Sequence, residues 1–194
     1  MKIDHSFWVL GLVFLLSCSR ATPKTESNQS LNIDQLLETQ ITQLGQHKNV
    51  LDKEADVDGT RSDSTFVPTP EIWKSELEIF RQLNLINKPI HKGAYLKEGP
   101  LDDTRSNLKI LQYSSTTSRL ISLKIYYQND PRQFKRIEGL LHETNQLYTN
   151  DRSLTLEFDD DNGKPLLVSY SVVGFQKVAV RDTVKFYVRG HINW

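Results

Sequence analysis

Hydrophobic positions change period along this chain. Ile33, Leu36, Leu37, Ile41 and Leu44 recur at helical spacing. Asn32 before them is a suitable N-cap, and Gly45 behind them is a stop signal. Thr69-Pro70-Glu71 then opens a second helix. Threonine caps, proline fits the first turn, and glutamate complements the helix dipole. Trp73, Leu77 and Phe80 form a stripe that Ile72, Ile79, Leu83 and Ile86 widen, and Pro89 ends the segment. A helix with so broad an apolar face has to pack on something.

From Tyr95 onward the period is two. Leu108 and Ile110 alternate with Lys109; Ile121, Leu123, Ile125 and Tyr127 alternate with Ser122, Lys124 and Tyr126. Ile137, Gly139 and Leu141 continue the pattern, followed by Leu154, Leu156 and Phe158. Leu166 to Val173 is apolar on both faces over much of its length, which predicts a central strand; Val178 and Val180 follow, and Val184, Phe186 and Val188 close the series. Short connections predict antiparallel neighbours. The expected fold class is α+β, with two N-terminal helices packed on a curved antiparallel β-meander of about seven strands. Ile121, Leu123, Ile125, Leu154, Leu156, Phe158, Val184, Phe186 and Val188 are expected on one apolar face, partly covered by Trp73, Leu77 and Phe80. Any uncovered part becomes a cup if the sheet curls, or a docking surface if it stays open. Between Asn49 and Val67 the flanks are polar. Asp58-Gly59 there signals either a hairpin or a mobile loop.

Ahead of the helices lies a different pattern. Lys2 is followed by an apolar run from Phe7 to Leu16, then Ser17 and Cys18. The run is shorter than the roughly 20 apolar residues a membrane span needs, and its layout is that of a secretory signal. It resembles a bacterial lipoprotein signal peptide, with Leu15-Leu16-Ser17-Cys18 resembling the lipobox. That resemblance implies cleavage after Ser17 and lipidation of Cys18, so that the chain divides into a leader (1–17), a lipidated Cys18 with its tether (18–30), and one globular domain (31–194). An ordinary secretory signal, with Cys18 incidental, is the alternative. Two or more acyl chains make attachment stable where one does not. Ser19 is not the aspartate associated with inner-membrane retention, and no acidic run follows. The expected location is therefore the periplasmic face of the outer membrane. Residues 19–30 lack large apolar side chains and read as a flexible tether.

Composition narrows the partners. Lys and Arg number 24, Asp and Glu 24, and the net charge is zero. A neutral chain has no electrostatic footprint for nucleic acid. Cys18 is the single cysteine, so no disulfide staples the domain.

No catalytic constellation stands out. His142-Glu143 resembles the start of His-Glu-x-x-His, but Gln146 replaces the second histidine and the segment reads as a strand. Asp159-Asp160-Asp161-Asn162-Gly163 suits either a hard cation or a solvated turn, and its spacing is not that of an EF-hand. Asp56, Asp58 and Asp63 pose the same choice. Glu98, Asp102 and Asp103 are candidate paired carboxylates whose separation a sequence does not give. His47, His91, His142 and His191 adjoin no recognised nucleophile motif. Tyr95, Tyr113, Tyr126, Tyr127, Tyr170 and Tyr187 scatter over the strand region, as core aromatics do. No cofactor, metal or catalytic residue is assigned.

The expectation is a lipid-anchored envelope protein that acts as a non-catalytic binding or scaffolding module for an envelope protein or apolar ligand. A periplasmic hydrolase with a site assembled from distant loops is the alternative. The architecture loosely resembles, at fold level, the outer-membrane lipoprotein receptor for lipoproteins, which implies helices and a curved sheet around an apolar cavity.

Metabolic labelling with an acyl probe should mark the wild type and spare Cys18→Ser. Equal labelling of both, or of neither, overturns the anchor.

Overall fold

A computed structural model describes residues 31–194. The leader (1–17), Cys18 and the tether (18–30) lie outside the described residues. The expected layout of two helices on about seven strands is overturned. Among the described residues nine strands form one antiparallel sheet; strands take 52% of those residues and helices 21%. The strands are β1 (Val50–Val57), β2 (Thr60–Phe66), β3 (Leu96–Asp102), β4 (Lys109–Ser114), β5 (Leu120–Tyr127), β6 (Phe134–Thr144), β7 (Tyr148–Asp161), β8 (Lys164–Val178) and β9 (Val184–Asn193). Their order is β2-β1-β9-β8-β7-β6-β5-β4-β3. The sheet is open, with β2 and β3 as edges.

The strands missing from the expectation lie at those edges. Between Val50 and Phe66 the chain forms a hairpin, not a mobile loop. Asp58 and Gly59 have φ of 51° and 82°, and this two-residue turn fits the twist of its strands. Asp58 also fastens the turn to β9: its N–H donates to the Lys185 carbonyl and its carboxylate accepts from the Lys185 N–H. Strand β1 then pairs with β9 from Val50–Asn193 to Val57–Phe186.

The helices are short. Helix α1 (Ile33–Gln46) starts where Asn32 accepts from the Gln35 N–H and runs one residue past Gly45. Helix α2 (Pro70–Leu77) is capped by Thr69. Beyond Leu77 the chain tightens into a 3-10 segment, Glu78–Asn87. The stripe itself explains the change. Leu77, Phe80, Leu83 and Ile86 are spaced by three, the residue count of a 3-10 turn. Trp73, Leu77, Phe80 and Leu83 are all fully buried, and each such burial contributes roughly 1.5–3 kcal/mol.

These helical pieces cover the middle of one face of the sheet, here the inner face, and leave Val57 and Val184 at its β1–β9 end exposed. Two rows of side chains cross it in register. One is Ile125, Ile137, Leu156, Tyr170 and Gly190; the other is Leu123, Gly139, Leu154, Val172 and Val188. Each row contains one glycine where a helical or aromatic group needs space. A Cβ at Gly139 would sit 2.1 Å from Leu83 Cδ2, and one at Gly190 would sit 2.3 Å from the Tyr170 ring. Of the expected apolar face, Leu123, Ile125, Leu154, Leu156 and Phe158 are buried. Ile121 is the extra residue of a bulge between Leu120 and Ser122, so Leu120 points inward in its place. Phe186 and Val188 are half-buried and Val184 is exposed. Val180 lies in the turn after β8 and is exposed.

Buried polar groups tie the layers together. At the β7–β8 bulge Val168 is the extra residue. There Gln40 of α1, almost fully buried, donates to the Pro165 carbonyl at 3.0 Å and accepts from the Leu167 N–H at 2.8 Å. Glu76 of α2 accepts from Lys53 on β1 at 2.6 and 2.8 Å and from the Tyr170 hydroxyl on β8 at 2.7 Å. Among the described residues no helix is long and apolar enough to cross a membrane.

Burial, then the bond to the Glu76 carboxylate, pushes the Tyr170 hydroxyl far above the ordinary tyrosine range. A raised folded-state value contributes stability in full below the unfolded value of about 10 and loses it as pH climbs beyond. Tyr170→Phe should cost about 1 kcal/mol at neutral pH and make the loss of stability above pH 10 shallower. Urea titrations at a series of pH values check this; an unchanged alkaline slope contradicts it.

Candidate functional site

The face turned away from the helices is polar, and its two halves behave differently. On the β4–β6 half most charges are committed to one another, Lys124 excepted. The Arg136 guanidinium lies 4.0 Å above the Tyr126 ring, 3.0 Å from Glu138 and 3.8 Å from Asp103. The Tyr126 hydroxyl donates to Glu138 at 2.7 Å. Burial and then that bond raise the Tyr126 hydroxyl above its usual range, whereas a hydrogen bond from Ser106 is the main cause holding the Asp103 carboxyl below its own.

On the β8–β9–β1 half the side chains are open. Period two on β9 sends Lys185, Tyr187, Arg189 and His191 to the outer face. The β1–β9 register sets Asp52 beside His191, Glu54 beside Arg189 and Asp56 beside Tyr187. A basic and aromatic stripe therefore runs along an acidic one. On the other side of β9, the β8–β9 register brings Ser169, Ser171, Val173 and Phe175. The side chains of Glu54, Asp63, Lys185 and Arg189 make no hydrogen bond or ion pair with described residues. Asp52 is held below the usual carboxylate range by hydrogen bonds from Thr65 and Asn193, with a smaller contribution from His191.

Three depressions follow these strands. One of about 580 Å³ includes Val173, Phe175, Lys185 and Tyr187. One of about 200 Å³ includes Thr155, Glu157, Ser171, Tyr187 and Arg189. One of about 480 Å³ includes Asp52, Glu54, Thr65, Arg189 and His191. Tyr187 lines the first two and Arg189 the last two, so the three adjoin in one trough; one end sets Val173 and Phe175 beside Asp56, Asp58 and Lys185, and the other has no large apolar side chain. Val173, 44% exposed, supplies its apolar floor.

Ser169, His191 and Asp52 lie side by side across β8, β9 and β1, the residue types of a hydrolytic triad. Their hydrogen bonds go elsewhere: Ser169 donates to Glu157 at 2.6 Å, and Asp52 accepts from Thr65 and Asn193. A triad needs the base within hydrogen-bond reach of the nucleophile and of its orienting acid, and no such bond joins these three.

The sequence candidates disperse. His142 and Glu143, adjacent on β6, face opposite sides of the sheet. His142 Nδ1 meets Asp151 on the outer face, whereas Glu143 meets Arg119 and Arg152. The Asp159–Gly163 segment contains the β7–β8 turn, with Asn162 and Gly163 at φ of 52° and 80°. The Asp160 carboxylate there accepts from the Gly163 N–H. Asp56 caps the β1–β2 turn by accepting from the Gly59 N–H. Asp102 pairs with Lys109 while Asp103 turns to Ser106 and Arg136, and Glu98 is exposed on β3. His47 packs edge-on to Trp194 and His91 edge-on to Tyr95. Among the described residues no group of three His, Cys, Asp or Glu side chains is placed to hold a metal ion. The trough residues were visible in the sequence as charges alternating along Asp52-Glu54-Asp56 and Lys185-Tyr187-Arg189-His191; their adjacency was not.

No family model matches this chain, and no curated protein or solved structure matches it either.

The contrast between the two halves is measurable. Arg189→Ala should change unfolding free energy by no more than about 0.5 kcal/mol, as surface substitutions do. Arg136→Ala should cost about 1–2 kcal/mol, because it strips Glu138, Asp103 and the Tyr126 ring of a partner. Urea denaturation of both variants checks the order; equal losses contradict it.

Proposed function

We propose that this chain is a non-catalytic binding module of the cell envelope, anchored through lipid on Cys18 at the periplasmic face of the outer membrane. Its outer-face trough receives an extended segment of another envelope protein. The observation that carries this reading is the trough itself, where uncommitted charges of both signs adjoin exposed Val173 and the Tyr187 and Phe175 rings. From the Lys185 end to His191 the ladder covers roughly 20 Å at about 3.3 Å per residue, which suits an extended segment of about six residues. Such a segment would set an acidic side chain on Arg189, a basic one on Glu54 and an apolar one on Val173. Complementary charge gives register and specificity more than bulk affinity. A protein is favoured over an apolar ligand because the inner-face side chains from Leu123 to Phe158 are sealed under the helices, and the trough is only partly apolar.

A photoreactive residue at position 173, 187 or 189 of the full-length chain in cells tests the reading. Trough positions should yield one discrete protein adduct, and control positions 38 and 46 on α1 should not. Charge reversal at Glu54 and Arg189 together should reduce the adduct at 187 by about tenfold. No adduct from the trough, or equal adducts from α1, overturns it.

A further inference from the structure

The two edges of the sheet are unlike. Strand β3 is protected: Gly99 and Pro100 fall at a register irregularity, proline has no N–H to offer, and Lys97, Glu98 and Asp102 charge the edge. Strand β2 lacks the proline and the irregularity, and its two charges, Arg61 and Asp63, are of opposite sign. It is Thr60-Arg61-Ser62-Asp63-Ser64-Thr65-Phe66, without lysine, proline or bulge, and its pairing with β1 runs unbroken from Val57–Thr60 to Leu51–Phe66. Every residue from Thr60 to Thr65 is exposed, and among the described residues no strand lies on its far side. An uncovered regular edge is a template for another strand.

The turn fixes which groups it presents. A two-residue hairpin closes on a hydrogen-bonded pair, here Val57–Thr60. Hydrogen-bonded and non-hydrogen-bonded pairs alternate from there. Ser62 and Ser64 therefore spend their backbone groups on β1, while Arg61, Asp63 and Thr65 aim theirs outward.

We infer that β2 pairs with β2 of a second copy of this chain, antiparallel about a two-fold axis at Ser62. In that register Arg61 faces Asp63 of the second copy and Asp63 faces its Arg61. Both are hydrogen-bonded pairs, with the charged side chains on one face. An axis at Asp63 would set two carboxylates opposite each other, and one at Arg61 would set two guanidinium groups opposite each other; like charges directly opposite are unfavourable. On the other face Ser62 meets Ser62, and Thr60 meets Ser64, small hydroxyl pairs that fit without rearrangement. Within one chain Arg61 is already paired with Asp56 at 3.3 Å, but this pair is exposed and an exposed pair is worth little, so Arg61 is free to exchange partners. The contact is isologous and uses up its own edge, and β3 is protected, so assembly stops at two. This pairing does not depend on the trough.

Sedimentation of the full-length chain in detergent tests the pairing by charge exchange. The wild type should dimerise. Arg61→Asp alone and Asp63→Arg alone should each weaken the dimer about tenfold or more, and the double exchange should restore it. Both positions are exposed, so circular dichroism should be the same throughout the cycle. The register is tested by Ser62→Cys: a non-hydrogen-bonded pair puts the two Cα atoms about 4.5 Å apart, within disulfide range. Under mild oxidation, peptide mapping should find the thiols introduced at position 62 of the two copies linked to each other, and Ser64→Cys should not link to itself. A monomeric wild type, single reversals not rescued by the double, or self-linkage at 64 in place of 62 overturns the inference.

Discussion

A sheet with one apolar face survives in water only if that face is covered closely enough to exclude solvent, and here little helix is present to do it. The cover is a single stripe, Trp73, Leu77, Phe80 and Leu83, laid over the middle of the sheet with α1 beside it. So narrow a cover works only by close approach. Gly139 lets Leu83 sink onto β6, and Gly190 lets the Tyr170 ring lean across β9 toward Glu76. Interiors pack at crystal-like density, so these two absences of a Cβ set how near the 3-10 segment can come. The tighter 3-10 winding belongs to the same constraint, because only a three-residue repeat keeps Leu77, Phe80 and Leu83 in one line against the sheet.

Because the apolar face is spent on the core, the opposite face is left for polar groups, and the topology decides how they are used. Strands β4 to β6 follow one another through short turns, and Arg136 there gathers Tyr126, Glu138 and the Asp103 of the β3–β4 connection. The junction of β1 with β9 is different. It joins positions as far apart as Val50 and Asn193, and the charges that meet there oppose one another across strands without closing into hydrogen-bonded pairs. The uncommitted half of the outer face thus lies where the N-terminal hairpin meets the C-terminal strand.

Much of the local structure was legible in the sequence. The caps at Asn32 and Thr69, the alternation in β5, β7 and β9 and the turns at Asp58-Gly59 and Asn162-Gly163 depend on neighbours within a few residues, and such signals are local. What was not legible is long-range. Strand β2 has no apolar alternation to announce it; β1 has little, and its pairing with β9 makes it a strand. The bulges at Ile121 and Val168 shift which residues face inward, and nothing in the period shows where a bulge falls. The 3-10 winding was written in the three-residue spacing after Leu77, yet that spacing also reads as the wide face of an α-helix. The candidate chemistry failed for a related reason. His142-Glu143, and likewise Asp102-Asp103, are neighbours in sequence, and neighbours on a strand point to opposite faces.

The same period-two rule that separates sequence neighbours brings distant residues together, and it did so at Asp52, His191 and Ser169. Their juxtaposition is what a hydrolase would need in composition and lacks in bonding. The decisive groups are Thr65 and Asn193, which occupy both oxygens of Asp52, and Glu157, which takes the Ser169 hydroxyl. For the serine to become a nucleophile, its hydroxyl would have to turn from Glu157 to His191, and the ring would have to share an Asp52 oxygen with Thr65 or Asn193. The first exchange breaks a hydrogen bond to a charged group, worth about 1.5–3 kcal/mol, before any substrate is engaged. Free Arg189 and Glu54 require no such rearrangement to meet a partner.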